Sequence, residues 1–192
     1  MNSNEGDRNP DPQVAADESS QATGGMPEDK EPGQHEALYD RFSERVRELF
    51  EAGQEKSKEA LDKAMDVARE QFSAAGEFSA QQGEVFKQYM RRDLEQTGQE
   101  MRALGKDAKE RLHPARLGAG ALSSMARLLE AAGSALQSLS RKAEEALHYN
   151  TGDITAAGTL TCTKCGQKVQ LKHTAHIPPC PGCHGTEFRK GY

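Results

Sequence analysis

The sequence predicts a mostly α-helical protein that ends in a small β module built round a metal site. Three observations carry that expectation. Apolar residues recur at helical spacing between residues 37 and 148, and the composition changes abruptly after Tyr149. All four cysteines of the 192-residue chain stand in two Cys-x-x-Cys pairs near its end. The expected organisation is an acidic tail over 1–36, a long helical hairpin or coiled-coil region over 37–148, and a four-cysteine ribbon over 149–192.

Residues 1–36 hold nine acids against two bases, with Pro, Gly and Ser and almost no large apolar side chain. A segment of that composition cannot offset its ordering entropy by burial, so a disordered tail is expected. Read simply, it keeps the protein soluble. Read functionally, it repels nucleic acid or docks on a basic partner.

Leu38, Phe42, Val46, Leu49 and Phe50 fall at helical spacing, as do Leu61, Met65, Ala68 and Phe72. Gly53 between them predicts either one helix with a soft spot or two helices in line. Gly76 ends this stretch, and Ser79 with Gln82 three residues later reads as a capping box that opens the next helix. Its stripe is Phe86, Met90, Leu94, Thr97, Met101, Leu104 and Ala108, and it should close near Leu112, ahead of Pro114. After Gly118 and Gly120, Leu122, Met125, Leu129, Ala132, Leu136, Leu139 and Ala143 alternate steps of three and four, the heptad pattern. Stripes so narrow and alanine-rich predict helical hairpins or coiled coils rather than one wide core. They either face one another or leave one face for a protein partner or a second copy of the chain. Arg91, Arg92 and Asp93 read first as a solvated helix face, and second as a docking site for the ribbon or a partner.

Beyond Tyr149, short β-type runs appear at Thr159–Thr161, Lys168–Lys172 and Thr186–Arg189. Between them stand Cys162-Thr-Lys-Cys165-Gly166 and Cys180-Pro-Gly-Cys183-His-Gly185, the pairs separated by fourteen residues. Two residues between cysteines allow one tight turn to present both thiolates to one ion, and two such turns make a closed tetrahedral site. Cys162, Cys165, Cys180 and Cys183 are therefore the expected ligands of one structural zinc ion. Iron in a rubredoxin-like site would use the same turns. A ribbon of about forty residues is too small to rely on its core, so metal binding and folding should be one event. His173, His176 and His184 lie near the site but are not needed as ligands. Four thiolates leave no open coordination position, and no nucleotide loop or nucleophile motif occurs elsewhere, so no enzyme and no small-molecule substrate is expected.

The C-terminal residues Tyr149, Gly152-Asp153, Gly158-Thr-Leu160-Thr-Cys162-Thr-Lys-Cys165, Pro179-Cys180-Pro-Gly-Cys183 and Phe188-Arg189 resemble the DUF1451, or zinc-ribbon-containing domain, family of bacterial proteins. In the helical part, Gly76-Glu-Phe-Ser79 and Tyr89-Met-Arg91-Arg92-Asp93-Leu94 are similar to a segment of that family. The resemblance covers roughly residues 37–192. It implies long helices followed by a zinc ribbon, and it supplies no activity. His184 departs from the pattern, standing where glycine commonly follows the second cysteine of a knuckle.

The chain carries a net charge of −5, with 35% hydrophobic and 5% aromatic residues, and a mean hydropathy of −0.83. No apolar run approaches the ~20 residues of a membrane span, and the polar start is unlike a signal peptide, so a cytoplasmic protein is expected. An adaptor acting through protein contacts ranks first among the functions. Nucleic-acid binding by the ribbon ranks second, resting on Lys164, Lys168, Lys172, Arg189 and Lys190; against it, the chain is acidic and aromatics for base stacking are scarce, Phe188 and Tyr192 being the ribbon's only ones beyond Tyr149. An iron electron carrier ranks third.

Overall fold

The computed structural model describes residues 33–103, 119–132 and 148–191. The tail through residue 32, the stretch holding Leu104, Ala108 and Leu112, the stripe positions Leu136, Leu139 and Ala143, and Tyr192 lie outside the described residues.

Helix α1 spans Gln34–Ala52 and α2 spans Lys58–Ala74. Gly53 does not join them in line. It takes an extended conformation at the end of α1, and the Lys56 ammonium caps that end by donating to the carbonyls of Glu51 and Gly53. The Ser57 hydroxyl accepts from the Ala60 amide and starts α2 in the reverse direction. Arg45 on α1 then reaches Gln71 on α2, and Arg41 reaches Glu77, so the two helices form an antiparallel hairpin.

The expected capping box is present. The Ser79 amide donates to Gln82 Oε1 at 2.9 Å and the Gln82 amide donates to Ser79 Oγ at 3.2 Å. It opens α3, Ala80–Ala103. A fourth helix, α4, spans Ala121–Ala132. Its first amide, on Ala121, donates to Asp40 of α1 at 2.7 Å, a cap supplied from another helix.

The helices share a wider core than their stripes predict. Tyr39, Phe42, Phe72, Phe78 and Phe86 converge from α1, α2, α3 and the α2–α3 turn. The Phe72 and Phe78 rings stack at 5.4 Å, and Phe42 and Phe86 meet that pair mostly edge-on. A Cβ on Gly83 would fall 2.5 Å from the Phe78 ring, so the bare helix surface there is what lets the ring lie down. In α4 the buried positions are Ala121, Ser123, Ser124, Met125, Ala126, Leu128 and Ala132, whereas Leu122 and Leu129 are only partly buried. The buried face is therefore broader than the heptad stripe, keeping Met125 and Ala132 and adding small residues beside them. Leu129 spends its side chain against Gly98 of α3.

The β module has six short strands among the described residues: β1 Tyr149–Asn150, β2 Ile154–Thr155, β3 Gly158–Cys162, β4 Lys168–Leu171, β5 Ala175–His176 and β6 Glu187–Gly191. One antiparallel sheet has the order β1-β6-β3-β4, and β2 pairs with β5. The predicted runs became β3, β4 and β6, while β1, β2 and β5 are too short to carry a pattern. The inner sheet face gathers Tyr149, Leu160, Cys162, Ile177, Cys180 and Phe188 in a core of its own. Ile154 and Ala156 belong instead to the helical core. Among the described residues no helix is long and apolar enough to cross a membrane.

Candidate metal centre

Each cysteine pair sits in a turn of the same construction. In the first, the Gly166 amide donates to the Cys162 carbonyl at 3.0 Å and the Cys162 amide to the Gln167 carbonyl at 2.9 Å. In the second, the His184 amide donates to the Cys180 carbonyl at 2.8 Å and the Cys180 amide to the Gly185 carbonyl at 3.0 Å. The residue after the second cysteine is left-handed in both turns, Gly166 at φ 74° and His184 at φ 55°. The histidine thus keeps the backbone geometry that its family pattern assigns to glycine, at the steric cost an L-residue meets there.

The turns bring four sulfurs together, all within 4.8 Å of one another. Cys162 Sγ lies 3.7 Å from Cys183 Sγ, and Cys165 Sγ lies 3.5 Å from Cys180 Sγ. A tetrahedron with metal–sulfur bonds of about 2.3 Å has edges of about 3.8 Å, so the cluster has the size a zinc ion requires. Gly185 closes one side. A Cβ there would lie 3.2 Å from both Cys162 Sγ and Cys183 Sγ, so the bare backbone forms part of the cradle. The electrostatics agree with a cation at the centre. Burial opposes ionisation of Cys180, yet the amides of Gly182 and Cys183, with the neighbouring thiols, bring it down to about 7. The Gln167 amide favours the Cys165 thiolate, yet the surrounding thiols push it up to about 12. Sulfurs this close oppose one another's ionisation, and a cation between them would relieve that opposition.

The histidines stay out of the cluster. His176 Nδ1 pairs with the Gly152 carbonyl at 2.9 Å, and its ring meets His35 edge-on at 6.1 Å. His173 and His184 are exposed.

A second group of polar residues joins this module to the helices. Tyr89, Arg92 and Asp93 project from one face of α3. Arg92 donates to Asp153 Oδ2 at 2.7 Å and to the Ile154 carbonyl at 2.9 Å, with its guanidinium 4.1 Å above the Tyr149 ring. Tyr89 donates to Asp153 Oδ1 at 3.2 Å. The Asp93 carboxylate accepts from the Thr155 hydroxyl and, at 2.8 Å, from the Ala156 amide. Lys190 donates to Thr155 Oγ1 and to the Ala156 carbonyl, both at 2.8 Å. Arg92 and Asp93 are therefore not a solvated face, and Lys190 is not a surface cation. Arg91, which forms an ion pair with Asp62 of α2 at 3.0 Å, is the exposed member of the triplet. Two signals point to this junction. Tyr89, Arg92 and Asp93 are spaced i, i+3, i+4, and the alternation along β6 puts Lys190 on the face of buried Phe188.

A four-sulfur cluster in a small antiparallel ribbon, joined to antiparallel helices, defines a helical protein carrying a zinc-ribbon module. The family model described as a zinc-ribbon containing domain matches residues 48–191, and the chain belongs to that family. Neither the comparison with curated proteins nor that with solved structures gives a match.

Proposed function

We propose that the chain is a non-enzymatic interaction protein of the cytoplasm, in which Cys162, Cys165, Cys180 and Cys183 hold one structural zinc ion. The ion's work is to fix two turns and so fold the ribbon, and four sulfur ligands leave no position for a substrate. The observation that carries this reading is the junction. Its buried ionisable groups, Asp93, Arg92 and Lys190, are consumed by hydrogen bonds that hold the ribbon on α3. They bind one part of the chain to another, as a scaffold requires. The ribbon's outer face and β4 edge, with their exposed polar residues, are the surfaces offered to a partner. The test is crosslinked capture of the tagged native protein from lysate, with Cys180→Ser as control. A protein that survives nuclease and is lost with the mutant supports the reading. Capture that is unaffected by Cys180→Ser removes the ribbon from it.

A second reading, nucleic-acid binding, is favoured by one alignment. The register Arg189–Thr161–Lys168 sets two cations and a hydroxyl in one row across the outer face of the sheet. Against it, Lys190 is unavailable. Affinity that falls steeply with salt would support phosphate contacts, and affinity unchanged by salt would remove them.

A further inference from the structure

The free edge of the sheet is the strongest feature the metal centre leaves unexplained. Strand β4 ends the order β1-β6-β3-β4, and among the described residues its outer edge pairs with no strand. Exposed backbone of this kind is a template for an added strand. Its charge is one-sided. Between Cys162 and His176 the sequence holds Lys164, Lys168 and Lys172 and no acid. All three are exposed, and none forms an ion pair among the described residues. The ribbon's exposed acid, Glu187, lies on β6, two strands away. A second copy of β4 would bring lysines against lysines, so the edge calls for an acidic strand.

The chain carries a segment of that charge, and it joins the described residues close to the segment that follows β4. Residues 1–32 hold eight acids against two bases. They precede Gly33, and the first two turns of α1 touch residues 174–176 that follow β4: Glu36 lies 3.9 Å from His176, and Thr174 donates to Asp40 at 2.6 Å. At about 3.3 Å per residue the tail is many times longer than the four residues of β4 require. Tethering adds an effective concentration on the order of millimolar, so even a weak contact would be populated.

We propose that the acidic segment 1–32 lies along the β4 edge of its own ribbon, held by Lys164, Lys168 and Lys172, and competes there with external partners. This rests on reading the ribbon as the interaction surface. Occupancy depends on salt, because the attraction is between exposed charges. A polyanion or an acidic protein must displace the tail to reach the strand.

The test is lysine footprinting of the zinc-loaded full chain against a variant with the eight tail acids changed to Asn or Gln. Acetylation is read by mass spectrometry, and Lys58, at the far end of the α1–α2 hairpin, is the internal reference. In low salt, Lys164, Lys168 and Lys172 should react several-fold more slowly in the native chain, and about 0.5 M salt should abolish the difference. Millimolar synthetic peptide 1–32 should restore protection to the neutral-tail variant. Equal reactivity in the two chains overturns the proposal, as does protection that rises with protein concentration, which would assign the edge to a second copy. If reactivities are equal while both chains still capture a partner through the ribbon, the cover is wrong and the interaction reading stands.

Discussion

The Lys190 ammonium lies 3.8 Å from the Asp93 carboxylate, and neither side chain has any solvent exposure. One comes from α3 and the other from β6, so this pair spans the boundary between helices and ribbon. Thr155 sits between them, giving its proton to Asp93 and accepting one from Lys190. A buried pair of this kind adds little stability over an apolar substitute, but removing one partner strands the other.

Asp93→Ala should therefore destabilise the zinc-loaded protein by about 3–5 kcal/mol, because Lys190 loses its buried counter-ion while Tyr39, Thr155 and the Ala156 amide lose their acceptor. Asp93→Asn keeps an acceptor and loses the charge, so its cost should be smaller. Urea unfolding followed by circular dichroism measures both. Two variants within error of the native protein would mean the ribbon is not held by this contact.

The same pair predicts a pH dependence. Burial lowers the Lys190 ammonium to about 8, against the pull of Asp93 in the other direction. Between pH 8 and about 10 the unfolded chain keeps the proton that the folded one has lost, so stability rises with pH through that window. Above about 10 the sign turns. Tyr39 and Tyr89 are raised in the fold, by burial first and then by Asp93 and Asp153 respectively, so the unfolded chain releases their protons first. Free thiols of an unfolded chain ionise near ~8.5, within the same window, so the contribution is read as the difference between native and Lys190→Met chains, in which theirs cancels. That difference should change by about 2–3 kcal/mol across the window, and a flat difference curve would contradict it.

The parts of the fold legible in the sequence are those fixed by residues close together in it. The knuckles need six consecutive residues and the Ser79–Gln82 box needs four, so their geometry follows from local chemistry. The reversal at Gly53 was not legible, because a helix break says that direction changes and Lys56 and Ser57 decide where. The junction was hidden for another reason. Charged residues on a helix default to solvent, and the groups that bury Arg92 and Asp93 stand some sixty to a hundred positions later. The family resemblance had already marked Tyr89, Arg92, Asp93, Tyr149 and Asp153; their mutual contacts give a physical reason for that pattern.

Three substitutions in the second knuckle should separate by backbone fit. Gly185→Ala places a methyl 3.2 Å from two sulfurs and should weaken metal retention, whereas Gly182→Ala, whose nearest neighbour is 3.7 Å away, should leave it unchanged. His184→Gly relieves a left-handed residue at φ 55° and should strengthen the second knuckle by about 0.5–1 kcal/mol, the gain being partly offset by glycine's larger entropy loss. Competition against a chromophoric chelator ranks the three. The reverse order would mean that backbone fit does not limit the site.

Removal of the metal should unfold the ribbon and leave the aromatic core of the helices standing, because that core takes only Ile154 and Ala156 from the β module and no aromatic residue. Cys162→Ser and Cys180→Ser should each lower the bound metal toward none, each leaving a site with three sulfurs. Metal binding to such small modules is worth on the order of 10–16 kcal/mol, so the sheet does not survive its loss. Helical circular dichroism should fall only modestly, whereas the amides of β3 and β6 should lose their exchange protection. Asp93 and Arg92 would then meet water in place of Ala156 and Ile154, so α3 is the helix that should loosen. Elemental analysis of the native protein accompanies the test: zinc gives a colourless protein, iron a red one, and helices that melt together with the ribbon would show that the junction makes one cooperative unit of both.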